Sequence, residues 1–233
     1  MDSNKILKNR HARKSRNYRP IQAFNDLVSS TGSAIEELEQ LGATKETKEV
    51  LLKSYIINIV TALEVYYRDM VDLFFRTCNP EVFQDKLKRL HEKTYKIDDL
   101  INLYVNNIHP LELITDNLNL QNINNIDKTF TILIGKPFLK EIKEIKWRIK
   151  DLSETESQIT DNMMKGLSEI IEERHSLIHN PHSKLLLSEE SILKNIDSIY
   201  GIILASDLVL TKFINENLDL ELLSKKNNKE KIK

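Results

Sequence analysis

The segment Ile171-Glu172-Glu173-Arg174-His175-Ser176-Leu177-Ile178-His179-Asn180 brings one arginine and two histidines close together in the chain. A guanidinium keeps its charge and grips two phosphate oxygens at once, whereas an imidazole titrates near neutrality and can take or give a proton. These groups suffice for cleavage of RNA by its own 2′-hydroxyl. That reaction needs a base for the hydroxyl proton, an acid for the leaving 5′-oxygen and positive charge beside the phosphorane. It leaves a 2′,3′-cyclic phosphate and a 5′-hydroxyl and calls for no metal. Arg174 and His179 are therefore the catalytic candidates. At 3.6 residues per turn, their five-residue offset sets them about 140° apart on an ideal helix. Either the helix unwinds ahead of Asn180-Pro181, or one site draws Arg174 and His179 from two chains.

Supporting residues have two readings each. His175 lies one turn before His179 on the same face, where it would help bind phosphate or simply be solvated. Asn180 would orient the phosphate or cap the helix. Glu64 and Asp69 fall in a mostly apolar run, and a buried carboxylate needs a partner: Arg174 across the bundle, which it would then position, or Arg68 beside them. Arg174 itself would pair with Glu172 or Glu173 if it were only a surface group, and His179 would suit a helix C-terminus through the dipole alone. His175, His179 and His182 also have spacing that suits a metal, but no nearby acid completes an HExxH arrangement. Tyr66 and Tyr67 read as core residues rather than base-stacking platforms.

Long helices must position these groups. All five prolines, Pro20, Pro80, Pro110, Pro137 and Pro181, fall at breaks in the apolar periodicity. The first predicted helix follows Pro20, is interrupted near Gly32 and closes at Gly42. Residues 45–78 form the longest periodic segment and predict a central core helix. Shorter amphipathic pieces are expected over 82–93 and 97–107, and an exposed Asn-rich loop over 116–127. Further helices are predicted over 138–150 and from about 154 to His179, where Asn180-Pro181 ends the run. Ser188 reads as the N-cap of a last helix running past Leu210.

Composition agrees with an all-α fold. The chain has 233 residues, 40% hydrophobic and 30% charged, with only 5 Gly and 5 Pro, too few turn residues for a strand-rich fold. A single cysteine, Cys78, excludes an intrachain disulfide and a cysteine-based zinc site, and predicts a reducing, cytoplasmic setting. No apolar stretch reaches the roughly 20 residues of a membrane span, and the start of the chain lacks the apolar run of a secretory signal. No membrane partner is expected. Neither a Gly-rich phosphate loop nor a nucleophile elbow occurs, so no cofactor is expected either. Net charge is −1, but Lys5, Lys8, Arg10, Arg13, Lys14, Arg16 and Arg19 crowd the start against Asp2. The expected organisation is a basic, flexible arm over 1–19, one helical domain over 20–222 and a charged, disordered tail over 223–233.

An arginine, four intervening residues and a histidine, with a polar residue after the arginine and an asparagine after the histidine, resembles the R-x(4–6)-H motif of HEPN ribonucleases. In that family the motif ends the penultimate core helix, just before the loop into the last one. The run Leu63-Glu64-Val65-Tyr66-Tyr67-Arg68-Asp69-Met70 is similar to the polar-studded early core helix of several HEPN branches. The resemblance covers about residues 45–210, and its specific part is the Arg174 motif. It implies a HEPN-like bundle of long antiparallel helices with short extra helices. It also implies an endoribonuclease acting on RNA as a homodimer, two motifs meeting across a two-fold axis. A toxin, abortive-infection or antiphage role follows from the same resemblance, with an antitoxin or regulatory protein as a further candidate partner. The alternatives are a non-catalytic HEPN-like module that binds RNA or a nucleotide, and a helical partner protein without nucleic-acid function.

Overall fold

The computed structural model describes residues 2–15, 19–90, 94–148 and 156–220. Besides two short 3-10 helices, Pro80–Val82 and Gln84–Lys86, the described residues form ten α-helices and one antiparallel pair of short strands: α1 Ser3–Ser15, α2 Pro20–Gln40, α3 Lys45–Thr77, α4 Leu87–Leu90, α5 Ile97–Val105, α6 Pro110–Asn117, α7 Ile123–Ile134, α8 Phe138–Glu144, β1 Lys146–Trp147, β2 Ser157–Gln158, α9 Asp161–His179 and α10 Glu189–Glu216. The fold is all-α, as composition and periodicity predict.

The central helix is α3. The Thr44 hydroxyl accepts from the Thr47 amide and starts it, and the chain leaves it at Cys78. Among the described helices, α3 alone is long and apolar enough to cross a membrane. In the fold that apolarity faces protein: Ile56, Ile59, Leu63, Tyr66, Tyr67, Met70 and Phe74 are all buried against the neighbouring helices. Both tyrosines are core residues with satisfied hydroxyls. Tyr67 shares a hydrogen bond with the Ser206 hydroxyl at 2.8 Å, and Tyr66 donates to Asp207 Oδ1 at 3.3 Å. These contacts, with the Cys78–Leu218 bridge further on, show that α3 and α10 run parallel. Helices α2 and α9 return in the opposite direction, so the C-terminus of α9 lies at the end where α3 and α10 begin. Gly166 lets α9 and α10 approach closely, since a Cβ there would meet Asn195 Oδ1 at 2.5 Å.

Several expectations change. Helix α2 runs unbroken through Gly32 and ends before Gly42, which takes φ +72°. The Asn-rich segment is not an exposed loop. Asn122 Oδ1 caps α7 by accepting from the Asn125 amide, Asn119 Oδ1 accepts from the Gln121 amide, and Leu118 and Leu120 on either side of Asn119 are buried. Asparagine side chains here terminate and start helices rather than disperse them. Helix α8 stops at Glu144 because Lys146 and Trp147 pair antiparallel with Gln158 and Ser157. Thr160 then caps α9, so α9 begins later than its periodicity predicts. The predicted helix ends that fall on 149–155, and the tail over 223–233, lie outside the described residues.

The basic start is a docked helix over Ser3–Ser15 rather than a flexible arm. Ile6 is buried with Leu103, Ile108 and Leu113 in a second small core. Arg10 makes a forked pair with Glu112 at 2.7 and 2.8 Å.

Candidate active site

Helix α9 carries the motif in its last two turns. Its buried stripe is Gly166, Leu167, Ile170, Glu173 and Leu177, the three- and four-residue spacing that faces α3 and α10. At position 173 of that stripe stands a carboxylate that is only 2% exposed. Glu173 accepts from the Leu186 amide through both oxygens, at 3.1 and 3.2 Å, and from the Leu187 amide at 3.3 Å. The acid next to Arg174 is thereby committed to the loop after α9 and does not neutralise the arginine.

Arg174 is partly buried, and its Nε is buried without a hydrogen-bond partner. Arg13 and Arg68 each hold a buried nitrogen without a partner as well. Those two arginines have carboxylates beside them: Asp72, Glu112 and Asp116 for Arg13, and Glu64 for Arg68. Arg174 has no carboxylate partner among the described residues. A partly desolvated charge with nothing of opposite sign beside it favours an incoming anion.

His175 and His179 are exposed, with ring centroids 4.4 Å apart and planes inclined by 61°. The helix stays regular through His179. It ends at Asn180, whose amide still donates to the Ser176 carbonyl while its own φ of −141° leaves the helical region. Unwinding ahead of Asn180-Pro181 therefore does not occur, and Arg174 and His179 keep to different faces of α9. Asn180 acts as a cap through its backbone, and its carbonyl accepts from the Ser183 amide at 3.0 Å. Further along the loop the Ser183 hydroxyl is buried without a hydrogen-bond partner among the described residues. Lys184 is exposed and close enough to Glu49, near the start of α3, for its charge to act on that carboxylate. Ser188 caps α10 as predicted, accepting from the Ser191 amide at 3.2 Å.

The structure does not bring Glu64 to Arg174. Glu64 pairs with Arg68 one turn on and accepts from Gln121 Nε2 at 3.0 Å. It sits fifteen residues beyond Glu49, about 22 Å along α3, away from the end where the motif lies. Asp69 is partly buried on the same helix and is likewise not a free carboxylate. His182 is exposed, and among the described residues no three His, Cys, Asp or Glu side chains gather as a metal-binding group.

Glu173 is the residue that sequence reasoning passed over as a surface partner of Arg174. The signal was present in the periodicity, because position 173 falls between Ile170 and Leu177 on the apolar stripe of α9.

No curated protein and no solved structure matches the chain. The model of one family, RiboL-PSP-HEPN, matches residues 21–212, a span that holds α2 to most of α10 and includes the whole of α9 and its loop. The chain belongs to the RiboL-PSP-HEPN family and carries a HEPN domain.

Proposed function

We propose that the protein is a metal-independent endoribonuclease that cleaves RNA by attack of the 2′-hydroxyl. The observation that carries this reading is Arg174, a partly buried guanidinium without a carboxylate partner among the described residues, on the same helix end as the two exposed imidazoles of His175 and His179. In the proposed reaction, Arg174 grips two non-bridging oxygens of the scissile phosphate and balances the charge of the phosphorane. His179 moves the proton, as base toward the 2′-hydroxyl or as acid toward the 5′-oxygen whose bond to phosphorus breaks. His175, ring against ring with His179, supplies a second imidazole to the phosphate. Arg174 and His179 face different ways on an unbroken helix. The scheme therefore takes the arginine from one protomer and the histidine from the other, in a homodimer whose two-fold axis passes between the motifs. A cytoplasmic setting, a toxin or antiphage role and restraint by an antitoxin or regulatory protein belong to the same proposal, and membership of a HEPN family supports them.

The test is incubation of the purified protein with total cellular RNA in EDTA, beside Arg174→Ala and His179→Ala, followed by analysis of product ends. Cleavage by the wild type alone, leaving cyclic phosphates, is expected. Binding that depends on Arg174 but tolerates His179→Ala, without cleavage, would replace the nuclease by a non-catalytic RNA-binding module.

A further inference from the structure

Two buried polar atoms at the motif end of the bundle have no hydrogen-bond partner among the described residues: Nε of Arg174 on α9 and Oγ of Ser183 in the loop that leads to α10. That loop is fastened along its length. The Ser183 amide donates to the Asn180 carbonyl, Leu185 and Leu187 pack against the core, and the Leu186 and Leu187 amides donate to Glu173. Because Glu173 precedes Arg174 directly, these bonds hold the loop against α9 at the level of the arginine. An apolar residue at position 173 would continue the stripe of Ile170 and Leu177, but it would leave two loop amides without an acceptor. The carboxylate trades core packing for a fixed loop.

We infer that this loop, residues 181–187, is the second wall of the phosphate site. Glu173 is its positioning residue, and the Ser183 hydroxyl is the donor it offers to an RNA phosphate held by Arg174. The inference rests on the nuclease reading for its ligand. Both orphan groups can donate, and Glu173 ties the loop to the helix that carries Arg174, so an anion entering between helix and loop would take a hydrogen bond from each. Lys184, exposed in the same loop, adds positive charge to the approach.

The experiment compares the wild-type protein with Ser183→Ala, Ser183→Thr, Glu173→Ala and Glu173→Gln in three measurements. These are RNA cleavage, affinity for a 2′-O-methyl RNA oligonucleotide that cannot be cut, and amide hydrogen exchange at Leu186 and Leu187. Ser183→Ala is expected to weaken binding and raise KM about tenfold, the size of one charge-assisted hydrogen bond, with Tm unchanged, and Ser183→Thr to restore both. Glu173→Ala is expected to release protection at Leu186 and Leu187 and to lower kcat/KM more than Ser183→Ala does, with partial rescue by Glu173→Gln. Ser188→Ala, which loosens the cap of α10, serves as the control for a merely structural effect and should leave KM alone.

Wild-type values for Ser183→Ala in both binding and KM would overturn the role of the hydroxyl. Retained protection in Glu173→Ala, or an equal fall in kcat/KM for Ser188→Ala, would overturn the positioning role. A wild type that binds the oligonucleotide without cutting RNA would sink the nuclease reading alone, since the binding arm still decides the role of the loop. A wild type that does neither would sink both.

Discussion

Arginines at the two ends of this molecule sit in opposite surroundings. In α1, Arg10 forks onto Glu112 and Arg13 lies 8% exposed beside Asp72, Glu112 and Asp116, so both guanidinium groups tie the first helix to α6 and α3. In α9, Arg174 is also partly buried yet has no carboxylate partner among the described residues, because its neighbour Glu173 is bound to backbone amides. The two sets are far apart: Asp72 is 23 residues beyond Glu49, about 35 Å along α3. A basic residue in this fold is thus not a ligand by virtue of its charge. What distinguishes a structural arginine from a waiting one is whether the fold supplies its counter-charge.

The sharpest way to break this comparison is to remove one arginine from each set. Arg174→Ala should lower kcat/KM for RNA by about 10²–10³-fold, as loss of a charge-stabilising donor does, while leaving Tm unchanged or slightly raised. Arg13→Ala should do the reverse. It leaves Asp116 without its cation, while Glu112 keeps Arg10 and Asp72 keeps Arg76, and should destabilise the fold by about 3 kcal/mol in urea unfolding, with the folded fraction cleaving RNA at the wild-type rate. Equal effects of the two substitutions on both readouts would erase the distinction.

Acid should separate the regions next. Burial alone would push the Glu112 carboxyl up, but hydrogen bonds from Arg10 and the His109 amide, with the charges of Arg10 and Arg13, hold it below the ordinary 4.5. A lowered carboxylate contributes stability that is complete above its unfolded pKa and is lost as the pH falls through the folded value. The Tm of wild type should therefore fall below pH 4.5 toward that of Arg10→Met, and the two curves should converge in acid. The smallest effect is expected at Asp207, which burial pushes above its ordinary 3.8 despite the Tyr66 hydroxyl, the charge of Arg19 and the Thr211 hydroxyl. Its contribution is present below pH 3.8 and is lost as the pH rises through the raised value. Asp207→Asn should then raise Tm slightly at pH 7, with no gain below pH 3.8.

Much of the bundle was legible because long helices repeat their signal many times. Fourteen of the 33 residues of α3 are buried at helical spacing, so its limits were readable to within a residue, as were the end of α9 at Asn180 and the cap at Ser188. Short elements carry no such redundancy. The strands Lys146–Trp147 and Ser157–Gln158 hold two residues each, too few for an alternation to register. Asparagines that cap α7 have the same composition as asparagines in an open loop, and only the buried Leu118 and Leu120 tell them apart. The site was legible in residue type and helix-end placement. Its balance of charge was legible only in part: the Glu64–Arg68 pair has the four-residue spacing of a helix and was one of two readings, whereas the bonds of Glu64 to Gln121 and of Glu173 to the loop depend on which elements meet. The docking of α1 is a similar case, since Arg10 and Arg13 read as solvated charge until α6 and α3 bring their partners.

The unbroken path of α9 through His179 has a consequence for dosage. If each protomer presents its arginine on one face and its histidine on another, a chain on its own is half of two different sites. Activity per molecule would then climb with concentration and fade on dilution, so the quantity of protein made would itself act as the trigger threshold.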